Sequence, residues 1–475
     1  MKIDTKYLES VRTSTQQEIN KKTKGLLDCK EVIVPWKRRF GRKFKIGSGE
    51  QLGTVLFQDL KVKYPVKRRD EESGKLVNDL TESGKWRTDE KTLLKIDHPF
   101  IKDYFSIKNL RTDLNFLNGI AEETTPNGFI HPNYNIHLID TYRSSSDSPN
   151  FQNLPARNPE RADRIRRCVV SRFKNGHIVD RDFKAVEVAV AACYHRDPTM
   201  LQYLRKGHDL HRDMASQIYC CVPDKVSKHA RYAAKNMFVF PQFYGSYYID
   251  CTKHLWEAIR SLKLMVGNIP MLQWLKKKGI DRKGKCDPER EPEAGTFEAH
   301  IKSIEKHFWN TRFPVYTRWK KRWYEAYLET GEIPFLTGFM VKGFHRRNEV
   351  INYPVQGSAF HCLLWSLIET QKELRKYKMK SVIIGQIHDS MVSDVPDNEL
   401  QNYLDITEEI TSVRLKKHWD WIITPIGTEV EVTPAGGSWP DKKTWSRDDT
   451  CHCGLGEEDH KYETHNYIPK GWGPV

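Results

Sequence analysis

The stretch HIVDRDFKAVEVAVAA (177–192) joins two patterns that together decide the fold. Its first half has aliphatic residues before a charged end, which is typical of a short buried strand. Its second half is rich in Ala and Val without Gly or Pro, which favours a buried helix. Asp182 therefore lies where the strand stops, and Glu187 lies on the helix. A carboxylate at the end of a core strand is costly unless a cation meets it, either an Arg or Lys or a divalent metal ion.

A second stretch, SVIIGQIHDSMVSDV (381–395), has two β-rich runs around Asp389. These runs predict a hairpin with an acid at its turn. Taken alone, such an acid more often caps a turn than takes part in chemistry. Asp182 and Asp389, two strand-end carboxylates far apart in sequence, would nevertheless suit Mg²⁺, which prefers a few carboxylate oxygens together with phosphates and water.

Length and charge limit the class of protein. The chain has 475 residues, so we expect about two to four subdomains. A net charge of +15 and a pI of about 9.1 favour a polyanionic partner, above all nucleic acid, because Lys and Arg bind phosphates. A basic surface that serves only solubility is the alternative.

Cysteine use and hydropathy indicate the compartment. The ten Cys residues are scattered without disulfide-framework spacing, which favours a reducing cytosol, that of a bacterial host if the gene belongs to a phage. The N-terminus has no apolar secretion signal. No run reaches the roughly 18 apolar residues that a membrane span needs.

The first 120 or so residues read as mainly helical and basic. Two runs, KRRFGRKFK (37–45) and KVKYPVKRR (61–69), interleave cations with aromatic and apolar residues. Such runs suit a surface that follows a phosphate backbone, and a solvated charged face is the alternative for each. Residues 128–153 look β- and loop-rich, and for TYRSSSDSPNFQNLPAR (141–157) we favour a plain surface loop over one that reads a nucleic-acid groove.

The middle of the chain carries basic and aromatic helical patterns. In 207–220, a predicted helix, His208 and His211 lie a turn apart, which is more typical of a structural pair than of a metal site. In HARYAAKNMFVFPQFYGSYY (229–248), Arg231 and Lys235 share one helical face. Two aligned cations repel each other unless an anion, such as a triphosphate, lies between them.

The later segments predict further elements and one possible metal site. Residues 279–297 predict a mobile loop or linker, 300–331 a helix interrupted at Pro314, 352–376 a loop that becomes a helix, and 397–417 another helix. In the tail, Cys451, Cys453, His460 and His465 could form a small zinc site, although the short C-x-C spacing departs from common fingers and a flexible tail is the alternative.

With these motifs laid out, most of residues 40–440 resembles the polymerase portion of the family A DNA polymerases, the DNA polymerase I type, particularly phage versions. The motifs DFKAVE (182–187), RYAAKNMFVFPQFYG (231–245) and QIHDS (386–390) come in the family's order, and SSSDSPNFQNLPAR, DLH and NYPVQGSA match further family stretches. The resemblance implies an α+β right-hand fold with an antiparallel-sheet palm. It assigns 1–135 to a helical thumb and the lead-in to the palm, 136–198 and 346–440 to the palm, 199–345 to helical fingers and 441–475 to a tail.

The resemblance also implies the site residues. Asp182, Asp389 and the backbone carbonyl of Phe183 would hold two Mg²⁺ ions, for which Mn²⁺ could substitute. Contacts to the triphosphate would come from Arg157, His211, Arg231 and Lys235, with Lys235 also a proton donor to the leaving group. Glu187 would fill the space of a ribose 2′-hydroxyl, Phe240 or Val239 would stack on the incoming base, and Tyr244 would lie by the templating base. The primer–template minor groove would be lined by Arg143, Gln152, Asn153, Asn352, Gln356 and His388.

Three departures from the family pattern stand out. The stacking aromatic and the Tyr follow Lys235 one residue later than usual, which predicts a π-bulge in the helix, and Pro241 removes a backbone donor there. Ser390 replaces a Glu that usually follows the last catalytic Asp, and Tyr142 replaces a Gly. None of these changes removes a metal ligand.

We therefore expect a monomeric DNA-templated DNA polymerase of phage replication or repair that acts on primer–template DNA and dNTPs without a membrane. A separate exonuclease, helicase or processivity factor is a further expected partner, because the chain starts close to the thumb and we predict no 3′→5′ exonuclease activity in it. The main alternative is a single-subunit RNA polymerase or primer-synthesising enzyme, against which Glu187 argues. A non-catalytic nucleic-acid-binding module would explain only the charge.

Overall fold

A computed structural model describes residues 1–69, 76–81, 83–156 and 158–445. The chain forms two compact units. The first contains Met1–Asn133, Ser146–Ile178 and Thr433–Lys442, and the second contains Tyr134–Ser145, Val179–Val432 and the described residues from Lys443 on. This division does not test the predicted boundaries of thumb, palm and fingers, which remain predictions.

The first unit is mainly helical, as predicted for the first 120 residues. Its core encloses Trp36, Leu52 and Phe100, of which Trp36 and Leu52 are completely buried. Its helices are α1 (Thr5–Leu27), α2 (Lys30–Phe40), α3 (Gly49–Thr54), α4 (Glu90–Leu93), α5 (Pro99–Glu123) and α6 (Pro159–Arg166). Up to residue 170 the strands are β1 (Lys2–Ile3), β2 (Lys67–Arg69), β3 (Leu76–Asn78), β4 (Asn133–Asn135), β5 (Ser145–Asp147) and β6 (Val169–Val170).

The second unit contains a sheet and a large helical cluster, and it holds the predicted magnesium ligands Asp182, Phe183 and Asp389. Its helices are α7 (Val186–His195), α8 (Pro198–Lys206), α9 (Leu210–Ile218), α10 (Lys228–Ala234), α11 (Phe240–Phe243), α12 (Tyr248–Ser261), α13 (Met271–Lys277), α14 (Phe297–His307), α15 (Pro314–Thr330), α16 (Arg347–Lys376), α17 (Leu400–Glu409) and α18 (Leu415–His418). The later strands are β7 (His177–Phe183), β8 (Met265–Val266), β9 (Ile269–Pro270), β10 (Glu332–Pro334), β11 (Met340–Lys342), β12 (Val382–Ile387), β13 (Ser390–Val395), β14 (Thr428–Val432) and β15 (Lys443–Thr444).

Shorter helical turns complete the secondary structure. Single π-helical turns occupy Val55–Asp59, Lys235–Val239, Phe308–Arg312 and Ile410–Arg414. The 3₁₀ turns are Gly41–Lys43, Pro223–Lys225, Asp397–Glu399 and Trp439–Asp441. Among the described helices, none is long and apolar enough to cross a membrane.

A five-stranded sheet in the order β12-β13-β7-β14-β15 supports the predicted acids. Strand β7 is central and is buried along nearly its whole length, as predicted from its aliphatic start. The burial extends to Arg181, whose guanidinium pairs with Glu408 and donates to Thr428 Oγ1 at 2.7 Å. A buried cation is tolerated because its partners replace the lost water. The predicted strand-to-helix junction of β7 and α7 is confirmed.

The helical prediction for 352–376 is corrected at its start. Helix α16 begins at Arg347, so the expected loop around Pro354 is helix. A Pro inside a helix leaves the carbonyl four residues earlier without its usual donor. Here that carbonyl belongs to Val350, and it accepts from the indole Nε1 of Trp323 on α15 at 3.1 Å. A donor from another helix therefore replaces the one that Pro354 lacks.

Of the two alternatives predicted for 279–297, a loop and a linker, the structure shows a loop within the second unit. It is tied to the start of α14, where Phe297 N donates to Arg282 O at 2.8 Å and Cys286 N donates to the Glu298 carboxylate at 2.8 Å. The helix break predicted at Pro314 is confirmed, since α15 begins at that residue.

Candidate active site

The two predicted acids lie at neighbouring points of the sheet. Residues 388 and 389 form the two-residue turn between β12 and β13, with Ile387 paired to Ser390. The backbone N–H of Phe183, at the end of β7, donates to the backbone carbonyl of Asp389 at 3.1 Å. This bond joins the hairpin turn to the residue that follows Asp182. The sheet therefore brings together two acids that are remote in sequence, as predicted.

Burial falls on a different acid from the one that the sequence indicated. Asp182 is exposed, whereas the Asp389 side chain keeps only 26% of its surface accessible. Burial raises the pKa of Asp389 to about 6, with the Arg143 guanidinium opposing that rise and Glu187 adding to it. A cation lies beside Asp389, since Arg143 Nη2 is 3.5 Å from Asp389 Oδ1.

Glu187 links the sheet to the helices. Its carboxylate accepts from Arg143 Nη1 at 3.3 Å and from the hydroxyl of Tyr244, which lies just beyond α11. Burial and the Glu187 charge both raise the pKa of Tyr244, so that its hydroxyl remains a donor. A chain of contacts therefore runs from Asp389 through Arg143 and Glu187 to Tyr244.

Three of the residues predicted to contact the triphosphate lie on helices of the second unit: His211 on α9, Arg231 on α10 and Lys235 in the π turn after α10. Arg231 Nε donates to Asp209 Oδ2 at 2.6 Å, and Asp209 also caps the start of α9. The anion that the sequence required near Arg231 is thus a side chain of this protein. Lys235 Nζ lies 5.1 Å from the centre of the Phe240 ring. Burial, Lys235 and Arg231 lower the pKa of His211 to about 4, so this imidazole is neutral near pH 7.

The histidine pair predicted in 207–220 is only half helical. Helix α9 begins at Leu210, so His208 precedes it and is exposed, whereas His211 is inside it. The ring of His211 meets that of Phe240 edge-on, with centres 5.5 Å apart. Asp209 lies between the two histidines and caps the N-terminus of α9, so the helix begins after it.

The inserted residue after Lys235 is absorbed as predicted. Residues Lys235–Val239 form a π turn, and Pro241 follows it within the same continuous helical segment, in α11. Val239 is completely buried in the helical core, whereas Phe240 is partly exposed and lines a cavity. Of the two candidates for stacking, only Phe240 is placed to do so.

A cavity of about 250 Å³ joins these residues within the second unit. Its lining includes the polar side chains of Glu187, Asp389 and Asn352, and most of its other lining residues are apolar. The complete lining is Ala185, Val186, Glu187, Val188, Ala191, His195, Met200, Phe240, Phe243, Tyr244, Tyr316, Asn352, Val355 and Asp389. Such a concave site with a few polar groups is the usual form of a ligand pocket.

Sequence reasoning missed the residues that hold the hairpin turn. Gln386 Oε1 accepts from the Ser144 hydroxyl at 2.6 Å, and its backbone N–H donates to the Tyr134 hydroxyl at 3.1 Å. Its side-chain amide also donates to the backbone carbonyl of His388. The polar stretch 141–157 was interpreted as a plain loop, yet Ser144 in that stretch contacts Gln386 of the hairpin that carries Asp389.

The Gly-to-Tyr departure has a structural counterpart. Tyr142 has φ 55°, the left-handed conformation that a Gly adopts without strain. Its hydroxyl donates to the Met340 carbonyl at 2.7 Å, and its ring packs on Phe335 and Phe339. These contacts hold a strained backbone immediately before Arg143, whose guanidinium reaches both Glu187 and Asp389.

The other predicted residues are spread over the chain. Asn352 and Gln356 are half-buried on α16, and His388 is exposed in the hairpin turn with φ 50°. Gln152 and Asn153 belong to the first unit. Outside the described residues lie Arg157 and the proposed zinc ligands Cys451, Cys453, His460 and His465.

The residues predicted to hold metal form a small set of oxygen donors. Among the described residues, no group of three or more His, Cys, Asp or Glu side chains is arranged to hold a metal ion. Asp182, Asp389 and the backbone carbonyl of Phe183 supply oxygen only, which fits a hard cation such as Mg²⁺ that keeps water and phosphate ligands. A cation there would also offset the burial that disfavours the charged form of Asp389.

Comparison with known proteins covers most of the chain. The family model for DNA polymerase family A matches residues 11–256 and 316–433. A DNA polymerase of Bacillus phage SP01 is 26% identical over 451 residues, covering 84% of this chain and 44% of the phage protein. DNA polymerase I of Chloroflexus aurantiacus is 24% identical over 448 residues, covering 91% of this chain and 41% of that protein. The chain spans less than half the length of these two relatives.

A solved structure gives the same result for the fold. The POL domain of Pol1 from M. smegmatis, solved in complex with DNA primer-template and dNTP, superposes with a TM-score of 0.68 at 20% identity. The match covers 93% of this chain and 68% of the other. The predicted α+β right-hand fold is thereby confirmed.

Proposed function

This chain belongs to DNA polymerase family A, and from that premise we propose that it is a template-directed DNA polymerase. It adds deoxynucleotides to a primer 3′-hydroxyl and releases pyrophosphate. The observation that carries the proposal is the backbone hydrogen bond from Phe183 N–H to the Asp389 carbonyl. This bond brings two family motifs, one at the end of β7 and one at the β12–β13 turn, next to each other.

Asp182, Asp389 and the Phe183 carbonyl are the proposed ligands of divalent metal, with Mg²⁺ as the specific ion. When bound, two such ions would lower the pKa of the primer hydroxyl and stabilise charge on the phosphates. Arg143 lies 3.5 Å from Asp389 and 3.3 Å from Glu187, so it keeps the two carboxylates apart and oriented. The Asp389 carboxylate must be ionised to act as a ligand.

The helical cations are proposed to bind the triphosphate. Lys235, a flexible point charge beside the partly exposed Phe240, can follow the phosphates and donate a proton to the leaving pyrophosphate. Arg231 must keep or exchange its contact with Asp209 to reach a phosphate. His211 is neutral near pH 7 and acts as a hydrogen-bond donor, not as a third cation. Arg157 completes the proposed set.

The Glu187 carboxylate is proposed to exclude ribonucleotides. It lines the cavity beside Asp389, and its contacts with Arg143 and Tyr244 hold it in one position. A 2′-hydroxyl pressed against a fixed acid would meet a steric clash. Phe240 is proposed to stack on the incoming base, and Tyr244 to lie by the templating base.

Proposed contacts to primer–template DNA involve Arg143, Gln152, Asn153, Asn352, Gln356 and His388. The net charge of +15 supports a nucleic-acid partner. We propose that the enzyme acts as a monomer in phage replication or repair in the bacterial cytoplasm. A separate exonuclease, helicase or processivity factor is a further proposed partner.

Primer extension on a defined template tests the function. The purified chain should extend a labelled primer with dNTPs and Mg²⁺, and far less with rNTPs. Asp182→Asn and Asp389→Asn should each lower the rate of incorporation by about 10³-fold or more, because each removes a charged ligand of the reacting centre. Asp405→Asn, on α17, is the matched control and should change little.

Two outcomes would contradict the proposal. Extension by both amide variants at the wild-type rate would remove the two acids from the chemistry. Efficient extension with rNTPs would instead favour the alternative, a single-subunit RNA polymerase or primer-synthesising enzyme. Binding of a DNA duplex, measured alongside, separates loss of chemistry from loss of folding.

A further inference from the structure

One partly buried arginine of the first unit has no counter-ion among the described residues. Arg111 lies on α5, and its guanidinium forms no hydrogen bond or ion pair with any described residue. None of its nitrogens is among the fully buried polar atoms that lack a partner, so the guanidinium is accessible to solvent. It therefore presents N–H donors in a planar fork to whatever lies beside it.

The neighbouring arginines are paired, which makes Arg111 an exception. Arg161 Nη2 lies 2.6 Å from Asp113 Oδ1, and Arg164 Nη1 lies 2.9 Å from Asp113 Oδ2. Asp113 is itself on α5, two residues after Arg111, and it is completely buried. The acid nearest to Arg111 in sequence is thus already used by two other guanidinium groups.

The position of the Arg111 guanidinium is fixed by its contact with a glycine. A Cβ atom at Gly47, in the turn before α3, would lie 3.3 Å from Arg111 Nη1. The Gly47 carbonyl accepts from the hydroxyl of Tyr104 at 3.4 Å, so it is already engaged. Gly47 and Tyr104 line the same small cavity as Arg111, so the charged end of Arg111 lies at the wall of that cavity.

Two adjoining cavities, of about 110 and about 520 Å³, meet at Arg111, since both are lined by Arg111 and Thr23. The larger one is a groove between α1 and α5 and also includes Lys24, whereas the smaller one includes Lys108. Both lysines are exposed and have no ion pair among the described residues. The groove is further lined by the amide side chains of Gln16, Asn20 and Asn115.

The chemistry of this lining favours an anion. Among the described residues that line the two cavities, three are cations and none is an acid. A guanidinium matches the oxygens of a phosphate in a bidentate arrangement, and the lysines add mobile point charges. A water occupies about 30 Å³ in the liquid, so even the smaller cavity, of about 110 Å³, has room for a tetrahedral anion.

We propose that the groove between α1 and α5 is a binding site for an oxyanion of the phosphate class. Arg111 holds the anion, and Lys24 and Lys108 add charge at its two sides. The anion is either a free phosphate ion or a phosphate of a DNA backbone. The site belongs to the first unit, whereas Asp182 and Asp389 belong to the second. It does not rest on the proposed function, since its main test contains neither nucleotide nor metal.

Chemical modification of the full chain tests the site. Phenylglyoxal reacts with accessible guanidinium groups, and peptide mass spectrometry gives the rate at each arginine. Inorganic phosphate should slow the modification of Arg111 by about tenfold at roughly ten times its dissociation constant, and chloride at equal ionic strength should not. Arg42 is exposed and lines neither cavity, so it is the internal control and should be protected little.

A pair of lysine variants separates a built site from general charge. Lys24→Gln should raise the phosphate concentration that half protects Arg111 by about threefold, because an exposed cation contributes modestly. Lys21→Gln removes an equal charge from an exposed position of α1 that does not line the groove, and it should leave this concentration unchanged.

A DNA duplex in place of inorganic phosphate identifies the source of the anion. Protection by the duplex that weakens in Lys24→Gln assigns a backbone phosphate, and protection by inorganic phosphate alone assigns the free ion. Three results would overturn the proposal: equal protection of Arg111 and Arg42 by phosphate, equal protection by chloride, or protection that Lys24→Gln and Lys21→Gln weaken equally or not at all. Each would mean that phosphate acts only by screening.

Discussion

The sheet and the helices α9 to α11 of the second unit hold their charged side chains by different means. On the sheet side, backbone hydrogen bonds fix the positions of Asp182 and Asp389, and the partly buried charge there is an acid. On the helix side, cations extend from α10 and a π turn, and they are held by side chains such as Asp209. Backbone pairing fixes a ligand more tightly than a side-chain contact does. The sheet side is therefore suited to holding ions, and the helix side to following a flexible triphosphate.

The largest change in rate is expected for a substitution of Lys235, on the helix side. Lys235→Met should lower kcat for nucleotide addition by about 10²-fold or more, because it removes both the proposed phosphate contact and the proposed proton donor. Single-turnover incorporation measures the chemical step. Lys228→Met, at an exposed position at the start of the preceding helix α10, is the control and should retain the wild-type rate.

Arg231→Met is expected to behave differently from Lys235→Met. It leaves the Asp209 carboxylate without its 2.6 Å partner beside the proposed phosphate site, so it should mainly raise the KM for dNTP. If both variants changed only KM, Lys235 would be a binding residue and not a proton donor.

A second effect concerns Glu187, which joins the two sides. Glu187→Ala should reduce discrimination against ribonucleotides by roughly 10–100-fold, the range set by a change in the size of a pocket. Glu187→Gln keeps the volume and should keep most of the discrimination. Tyr244→Phe removes one of the two donors to Glu187 and should have an intermediate effect, because Arg143 still holds the acid. Relative rates with dNTP and rNTP check this, and unchanged discrimination in Glu187→Ala would remove its proposed role.

Local patterns in the sequence predicted the sheet side well. The aliphatic start of β7, the Ala-rich helix after it and the hairpin around Asp389 depend on short-range periodicity and turn chemistry, and each is confirmed. The π turn after Lys235 followed from one inserted residue. The cavity lining and the ranking of Phe240 over Val239 were not predictable, because they depend on which face of the helix other elements bury.

Long-range partners explain the contacts that the sequence did not predict. Asp209 neutralises Arg231 across two helices, and Trp323 satisfies a carbonyl of α16 from α15. Ser144 reaches Gln386 from a stretch interpreted as a plain loop. Nothing in the local pattern around these residues identifies the partner, since each contact forms only once the chain is folded.

Two buried groups, Lys320 on a helix and Asp389 at the sheet, should make the free energy of unfolding depend on pH in opposite ways. Burial and Arg347 lower the pKa of Lys320, on α15, to about 7, with Glu305 opposing the change. Between this value and about 10.4, the ordinary lysine pKa, the unfolded chain binds more protons than the folded one. The Lys320 contribution to the free energy of unfolding therefore rises with pH over this window. For Asp389, whose pKa is raised, the corresponding contribution falls as pH rises from about 4 to 6.

The variant Lys320→Met tests the contribution of Lys320 to the free energy of unfolding. The variant should be more stable than the wild type by roughly 1–3 kcal/mol at pH 7, because it removes a buried amine that is partly protonated at that pH. The gain in stability should be smaller at pH 9.5. Urea unfolding at the two pH values measures the change. Lys321→Met, at the exposed neighbouring position, should alter stability little at either pH. A gain independent of pH would mean that the effect is packing and not charge.

The smallest effect concerns α16, which carries Asn352 and Val355 to the cavity. Trp323→Phe removes the indole donor to the Val350 carbonyl and should cost about 1–2 kcal/mol of the free energy of unfolding. Pro354→Ala restores a backbone N–H that can donate to the same carbonyl. In the Pro354→Ala background, Trp323→Phe should therefore cost less, and the difference between the two costs isolates the hydrogen bond from the loss of ring packing. If the two costs were equal, the indole would stabilise α16 through ring packing alone. The helical conformation around Pro354 would then have another cause than this hydrogen bond.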